Sequence, residues 1–472
     1  MFLLLISGLA GVLYGLASGN LLSVAMPYFE HTMTISATQM STLVASFSVV
    51  AIFSGFAAGP LAEWCGRKKP LIASAVIFIA ATPVICCCRG NYWMLLGGLG
   101  LQGLSMGLIG TVAPLYLAES LPAEHRGKGT GLFQLFLIGG IALSGLIGLA
   151  VSYWLGAGDS AATDVAQKTT AWQTIFWLAT APGILLFLGS LFIPESPEWL
   201  KRNGKLTIDN GKIDNGKLTI DNGKLTIDNG KLTIENERVE SQVEEKAGFR
   251  ALFSKRYVVP FLVVFLIVSC NKLCGLPYIL CYSVKIFQTT GLAGTFANWA
   301  DLTFKTVMFG ATALACVLVD RKGRKFLLGI GTAGIAVSMA VIAGVFFAIE
   351  HQLASAGGAT GVVAAIAITL FIGFYSVGPG VCVWLVMTEV LPARIRAIGM
   401  SVTLLANHFI ASAQQWTFLP MGEKIGFAPV FIFCAVCAAV YFFAVRFGMP
   451  ETKGMQLGDI EKWYDEKLGR RI

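Results

Sequence analysis

Long apolar runs constrain the fold of this chain more than any other feature of its sequence. A helix that crosses a bilayer needs about 20 consecutive, mainly apolar residues. Twelve stretches of the chain meet this need, six on either side of a polar segment. They cover residues 2–26, 38–60, 70–89, 92–118, 128–153, 171–193, 256–285, 294–320, 324–349, 359–389, 394–420 and 424–448. The sequence therefore predicts an all-α membrane protein with twelve transmembrane helices.

Composition agrees with a membrane protein and argues against other classes. Of the residues, 55% are hydrophobic and 13% are charged, whereas a soluble domain has about 25% charged residues. The net charge of +8 lies in short clusters between the apolar runs, unlike the basic groove of a nucleic-acid-binding protein. The cysteines and histidines lack the spacing of a metal site, and no phosphate-binding loop is present. We expect no enzyme activity, metal, cofactor or nucleic-acid partner.

The basic clusters orient the predicted helices. Cytoplasmic loops of membrane proteins are enriched in lysine and arginine, and here the clusters follow even-numbered runs. We therefore expect both termini in the cytoplasm and the chain in the plasma (inner) membrane, without a cleaved signal peptide. The clusters contain Arg67, Lys68, Lys69, Arg126, Lys128, Arg321, Lys322, Arg324, Lys325, Arg394 and Arg396.

Three short motifs occur twice, once in each group of six runs. They are Glu63–Lys69 with Asp320–Lys325, Glu119–Arg126 with Glu389–Arg396, and Pro194-Glu195 with Pro450-Glu451. Matched motifs at matched places predict two parallel six-helix halves, an architecture of transporters that move around a midplane site. We therefore divide the chain into an N-terminal half, a linker with a repeat tract, a C-terminal half and a cytoplasmic tail. Their bounds are 1–193, 194–255, 256–450 and 451–472.

The repeated acids and arginines predict a cytoplasmic gate. Opposite charges at helix ends can pair across the two halves, hold one side closed and separate when it opens. The alternative is that these residues are topology signals and helix caps. The predicted gate residues are Glu119, Arg126, Asp320, Arg324, Glu389 and Arg396.

With these motifs, the chain resembles the sugar porter family of the major facilitator superfamily. The marks are Pro114–Glu119, Pro194–Leu200, Asp320–Lys325, Gly378–Gly380 and Pro450–Gly454. The resemblance covers nearly everything except the central insert. It implies alternating-access movement of a monosaccharide, a polyol or an acid sugar, in a protein that functions as a monomer in the lipid bilayer.

The resemblance also implies which side chains line the sugar cavity. Gln134 and Asn407 match polar family positions, and Trp384 matches a family tryptophan. An amide suits a ligand made of hydroxyls, because it offers donors and an acceptor together. The alternative for Gln134 and Asn407 is an interhelical hydrogen bond. Asn271 and Lys272 replace a pair of family glutamines, and His408 replaces a tryptophan.

Lys272 raises a question because a charge at membrane depth is costly unless it pairs, meets water or has a function. One hypothesis is that Lys272 binds the carboxylate of an acid sugar. It could instead donate hydrogen bonds to the hydroxyls of a neutral sugar. A third reading is that it extends towards water without contacting the substrate.

The resemblance bears on proton coupling as well. Proton-coupled members have an aspartate in helix one and an arginine in helix four, and alignment places Ala17 and Leu99 there. Loss of both avoids a lone buried charge, which would cost about 3–5 kcal/mol. This implies facilitated diffusion. Coupling through His408 is the alternative, since histidine titrates near neutral pH, and a sensor that binds sugar without moving it also stays open.

Residues 203–236 contain a seven-residue repeat between the two halves. Every copy contains Asn-Gly, a turn signal that weakens a helix. Five lysines balance five acids in the tract, so it is a poor binder of nucleic acid or lipid. We predict a flexible cytoplasmic tract without a role in transport. A short β element formed by its Leu-Thr-Ile segments is the alternative.

Overall fold

The computed structural model contains the predicted helical bundle. It describes residues 2–17, 20–120, 123–155, 164–203, 226–228, 231–233, 252, 254, 257–292, 294–453, 455 and 457–467. In the N-terminal half the helices are α1 (Phe2–Ala17), α2 (Asn20–Thr32), α3 (Ala37–Cys65), α4 (Lys68–Cys86), α5 (Tyr92–Ser120), α6 (Ala123–Trp154) and α7 (Val165–Phe192). The short helix α8 (Pro197–Arg202) follows.

The C-terminal half repeats this arrangement. Its helices are α9 (Val258–Leu273), α10 (Leu276–Thr289), α11 (Thr295–Lys322), α12 (Arg324–Glu350), α13 (Gly358–Val377), α14 (Pro379–Val390), α15 (Ala393–Ile425) and α16 (Phe427–Gly448). Helix α17 (Leu457–Lys467) lies in the tail. The predicted fold class, an all-α membrane protein, is confirmed.

Two of the predicted spans are broken into two helices. Span seven is divided between α9 and α10 at Gly275, whose φ of 97° belongs to the left-handed region that favours glycine. Span ten is divided between α13 and α14 at Gly378, directly before Pro379. A Cβ at Gly378 would lie 2.6 Å from the carbonyl oxygen of Leu327, so glycine also permits close packing on α12. The sequence prediction treated both spans as continuous.

Eleven spans of the described chain are long enough and apolar enough to cross a membrane, one fewer than the twelve that the sequence predicts. The exception is α15, which has 33 residues and is long enough to cross a bilayer. It fails on composition, because arginines near its start, a Glu-Lys pair near its end and several amides interrupt the apolar residues. Span eleven is thus a polar helix, which is consistent with a helix that lines a water-filled path rather than one surrounded by lipid.

The repeat tract contains one hairpin among its described residues. Strands β1 (Thr226–Asp228) and β2 (Lys231–Thr233) pair antiparallel, with Ile227 opposite Leu232. In the sequence, Asn-Gly stands between the two strands, a dipeptide that favours hairpin turns. The β alternative, and not the irregular tract that we preferred, is what the structure contains at this copy. The other copies lie outside the described residues.

The hydrophobic core joins the two halves at one end of the bundle only. We call the end with residues 65–68, 193–203, 322–324 and 449–453 the basic end, and the opposite one the far end. A single cluster at the far end combines buried residues of both halves, such as Phe29, Trp172, Phe287 and Phe418. Towards the basic end each half has its own cluster, which includes Leu71 and Leu117 in one half and Phe261 and Val386 in the other.

Candidate functional site

Helices α9 and α15 run side by side and hold most of the predicted site residues. Asn407 on α15 donates from Nδ2 to the Val268 carbonyl oxygen at 2.8 Å, and Gln414 donates to the Leu273 carbonyl oxygen at 3.5 Å. Because both contacts advance along the chain in the same direction, the two helices are parallel. Asn407 therefore makes the interhelical hydrogen bond that was the alternative to its ligand role.

Lys272 and His408 lie between these two contacts. Lys272 is half-buried and His408 is exposed, and each directly adjoins a contact between α9 and α15. Among the side chains that the structure describes, no carboxylate forms an ion pair with Lys272. Lys272 therefore places an amino group without a described carboxylate partner beside the contact of α9 with α15.

Unpaired amide oxygens occur on the same two helices, α9 and α15. Asn271 is buried beside Tyr375, and its Oδ1 has no hydrogen-bond partner. The same holds for Oε1 of Gln414 and Oε1 of Gln415. Buried polar atoms are nearly always hydrogen-bonded, so a cluster of free acceptors next to a cavity suits a ligand that donates from hydroxyl groups.

The remaining predicted cavity residues are not joined to this group. Gln134 lies on α6, in the other half, and is half-buried. Trp384 lies on α14, after the break at Gly378, with 41% of its surface exposed. No hydrogen bond connects either residue to Asn271, Lys272 or His408 among the described contacts.

At the basic end, the N-terminal half has a compact cluster of charges. Arg67 donates to Glu119 at 2.6 Å, with only 2% and 6% of the two side chains exposed. Ser196 Oγ donates to the other oxygen of Glu119. The backbone N–H of Arg67 donates to Glu195 at 2.7 Å. This cluster therefore ties α3, α4 and α5 to the segment after α7.

The C-terminal half repeats the same cluster. Arg324 contacts Glu389 at 3.3 Å, with 15% and 24% of the side chains exposed. Thr452 donates to Glu389 at 2.5 Å, and the backbone N–H of Arg324 donates to Glu451 at 2.8 Å. Each residue of this cluster has an equivalent in the cluster of the N-terminal half. This supports the two-half repeat that the motifs indicate.

These clusters clarify the predicted gate. Glu119, Arg324 and Glu389 form ion pairs, but each described pair lies within one half. Arg396 donates to the Leu391 carbonyl oxygen at 3.1 Å and pairs with none of them. The side chains of Arg126 and Asp320 lie outside the described residues. Pairing across the halves stays a prediction for the state in which the basic end is closed.

Side-chain bonds between the halves lie at the far end. They are Ser23 with Ser283, Glu30 with Lys285, Ser41 with Tyr282, Thr42 with Trp416, Ser144 with Lys305, and Tyr153 with Trp299. Within the described part of the chain, no such bond crosses between the halves at the basic end. The bundle is therefore closed at the far end, and the cavity can open only towards the basic end.

Comparisons with known proteins agree with this architecture. The family model described as "Sugar (and other) transporter" matches residues 11–464. The chain belongs to the sugar porter family of the major facilitator superfamily. It is a transporter of the membrane and not an enzyme.

Relatives of this sugar porter include named transporters. A putative metabolite transport protein of Bacillus subtilis is 29% identical over 100% of this chain and 96% of the relative. The D-xylose transporter of Levilactobacillus brevis is 27% identical over 99% and 96%, and the glucose transporter of Staphylococcus epidermidis is 26% identical over 99% and 98%. The inward-open structure of the xylose transporter of E. coli covers 98% of each chain with a TM-score of 0.73 at 20% identity, which shows the same fold.

Sequence reasoning missed several residues of these sites. Arg67 was assigned only to topology, although its place in a repeated motif equivalent to that of Arg324 was a usable signal. Gln414 and Gln415 are amides inside a predicted span, the same signal that identified Asn407. Asp301 and Lys305, a charged pair four residues apart in span eight, were also overlooked.

Proposed function

We propose that this sugar porter carries a monosaccharide, or a related polyol or acid sugar, across the plasma membrane by alternating access. The relatives named as xylose and glucose transporters support the substrate class. We further propose that the protein acts as a monomer with both termini in the cytoplasm, so that the basic end faces inward.

The group of polar side chains on α9 and α15 is the observation that carries this proposal. It combines an ammonium group, an imidazole and free amide oxygens, beside a bundle closed at one end only. Hydroxyl groups of a sugar can donate to Asn271 and Gln414 and accept from Lys272. Broken helices at transporter midplanes commonly provide such groups, and α9 ends one residue after Lys272.

The position of the Lys272 ammonium favours direct contact with the substrate over the reading in which this residue only extends towards water. It lies near the middle of the span Val258–Thr289, far from either membrane surface. Extension towards bulk water is therefore less suitable than contact within the cavity. Without a carboxylate partner among the described side chains, Lys272 can serve either the hydroxyls of a neutral sugar or the carboxylate of an acid sugar.

We propose facilitated diffusion rather than proton symport. The two positions where proton-coupled relatives have a charge pair are Ala17 and Leu99, and both are buried in apolar clusters. Neither can bind a proton. His408 supports the competing proposal, because its ring is titratable, exposed in the cavity and near Lys272.

Uptake of labelled sugar into proteoliposomes, with and without an imposed pH gradient, tests this proposal. Facilitated diffusion predicts equilibration to the same final level in both conditions. Accumulation above equilibrium only with an inward proton gradient would contradict it, and loss of that accumulation in His408→Gln would locate the coupling.

A further inference from the structure

A fully buried ion pair lies in span eight, away from the cavity. Lys305 Nζ contacts Asp301 Oδ2 at 2.8 Å across one turn of α11, and 0% and 1% of the two side chains are exposed. It is more buried than the other ion pairs of the described chain. Neither the charge clusters at the basic end nor the substrate site accounts for it.

Serine hydroxyls connect this ion pair to the opposite half. Lys305 donates to Ser144 of α6 at 3.2 Å, which is a direct bond between the halves. Ser283 of α10 bonds to Asp301 at 2.5 Å. Ser283 also lies 2.9 Å from Ser23 of α2, which links Asp301 to the N-terminal half through one hydroxyl. Lys305 is therefore satisfied partly by a hydroxyl of the other half, whereas Asp301 reaches the other half only through Ser283. The bonds Lys305–Ser144 and Ser23–Ser283 are the ones that separate when the far end opens.

Close packing of α6 on α11 excludes water from the ion pair. A Cβ placed at Gly145 would lie 3.1 Å from the Cα of Leu302 and 3.2 Å from Asp301 Oδ2. Only a residue without a side chain lets the two helices approach so closely here. The far end therefore closes directly over the pair.

We propose that Asp301 and Lys305, with Ser23, Ser144 and Ser283, form a lock that holds the far end closed during the transport cycle. This inference rests on the alternating-access function proposed above. In the closed state the two charges satisfy each other and the three hydroxyls. In the open state water replaces the serines, so the charged pair can exist in both states and the lock can be released.

The same physics predicts how the lock fails. Removal of one charge leaves the other buried and unpaired in the closed state, which is strongly unfavourable. The open state suffers much less, because water reaches the remaining charge. A single substitution therefore shifts the population towards the open far end, whereas removal of both charges leaves no unpaired charge.

Cys281 is a native reporter of far-end opening. Its thiol is buried and lies 3.2 Å from Nε2 of Gln415, and the next residue, Tyr282, contacts Ser41 of the other half. It thus lies beside a contact between the two halves, near the far end. A membrane-impermeant maleimide added outside intact cells reaches this thiol only when the far end opens.

The test is the rate of Cys281 labelling, measured by peptide mass spectrometry. Lys305→Met is expected to raise the rate at least about tenfold. The double variant Asp301→Asn/Lys305→Met is expected to return to the wild-type rate or below it. Lys285→Met is the matched control, because its pair with Glu30 also joins the halves but is 29% and 31% exposed; its rate should change by less than about twofold.

Two results would overturn the lock. The first is that correctly inserted Lys305→Met protein is labelled at the wild-type rate. The second is that the double variant is labelled as fast as Lys305→Met. If Lys305→Met does not insert, Ser144→Ala removes the direct bond to the other half without leaving a charge unpaired. It should raise the rate about threefold, and an unchanged rate would contradict the proposal. Labelling of Cys281 requires no transported sugar. Failure of the proposed sugar transport is therefore detected separately, by the uptake measurement.

Discussion

Lys272 is the residue whose side chain most directly distinguishes this chain from one that binds sugar through amides alone. We predict that Lys272→Gln changes relative uptake of acidic and neutral sugars by about tenfold, because a charged donor is replaced by a neutral one. Folding should be unaffected, since a glutamine fits the same cavity. Lys424→Gln, an exposed lysine at the end of α15, is the control. Unchanged selectivity and affinity in Lys272→Gln would remove this residue from the substrate site.

The two arginines of the basic end permit a matched comparison between halves. Arg67→Met leaves Glu119 buried without its partner and should lower the free energy of unfolding by about 3–5 kcal/mol. Arg324→Met breaks the equivalent, more exposed pair with Glu389 and should cost about 1 kcal/mol. Thermal unfolding in detergent measures both. Equal losses would mean that burial does not set the strength of these clusters.

Which residues carry charge and which carry amides could be read from the sequence, but their partners could not. Glu119 and Glu389 were identified by repetition, yet the partner of Glu119 in the described structure is Arg67 of the same half rather than a residue of the other half. Asn407 was recognised as a polar group in a span, whereas its bond to Val268 depends on how α9 and α15 pack. Partner choice is a property of helix packing, which a single sequence does not specify.

At the scale of elements, the break of span seven depends on Gly275. Alanine there would adopt a left-handed backbone at a cost of about 1–2 kcal/mol, and its Cβ would lie 3.1 Å from both Cys434 Sγ and Met339 Cε. We predict that Gly275→Ala lowers transport rate and thermal stability. Gly310→Ala, where nothing lies within 4 Å of the added Cβ, should leave both unchanged or slightly improve stability. Equal behaviour of the two variants would contradict the role of the break.

The repeat tract is the element we expect to be dispensable. Deletion of residues 203–236 should leave uptake largely intact, because the hairpin Thr226–Thr233 pairs within itself and the tract has no net charge with which to bind lipid. Uptake by cells with matched amounts of inserted protein measures the effect. Loss of uptake despite normal insertion would show that the tract braces the two halves.

The number and order of the spans could be predicted from the lengths of the apolar runs. The breaks within two spans could not. Gly275-Leu-Pro and Gly378-Pro mark the two breaks, but either motif also occurs at ordinary helix ends. Helix α15 was predicted as a span and is less apolar than the other spans, because amides and charged residues interrupt its apolar residues. Environment decides these features, and environment is known only after the helices are assembled.

For the whole molecule, the repeat of motifs predicted two equivalent halves, and the charge clusters around Arg67 and Arg324 support that equivalence. Which end is closed could not be predicted, since both halves carry charges at their basic ends. The shared hydrophobic core and the bonds between halves decide this point in favour of a closed far end. A protein closed at one end around a polar cavity is what alternating access requires of one of its states.

Counterflow in proteoliposomes tests the central claim, movement of a sugar by alternating access, most directly. Vesicles loaded with an unlabelled sugar are diluted into a trace of the same labelled sugar, across a panel of neutral and acidic monosaccharides. We predict transient accumulation of label for at least one sugar without any pH gradient, and none in vesicles that lack the protein. Binding of a sugar without counterflow for any member of the panel would contradict transport and indicate a sensor.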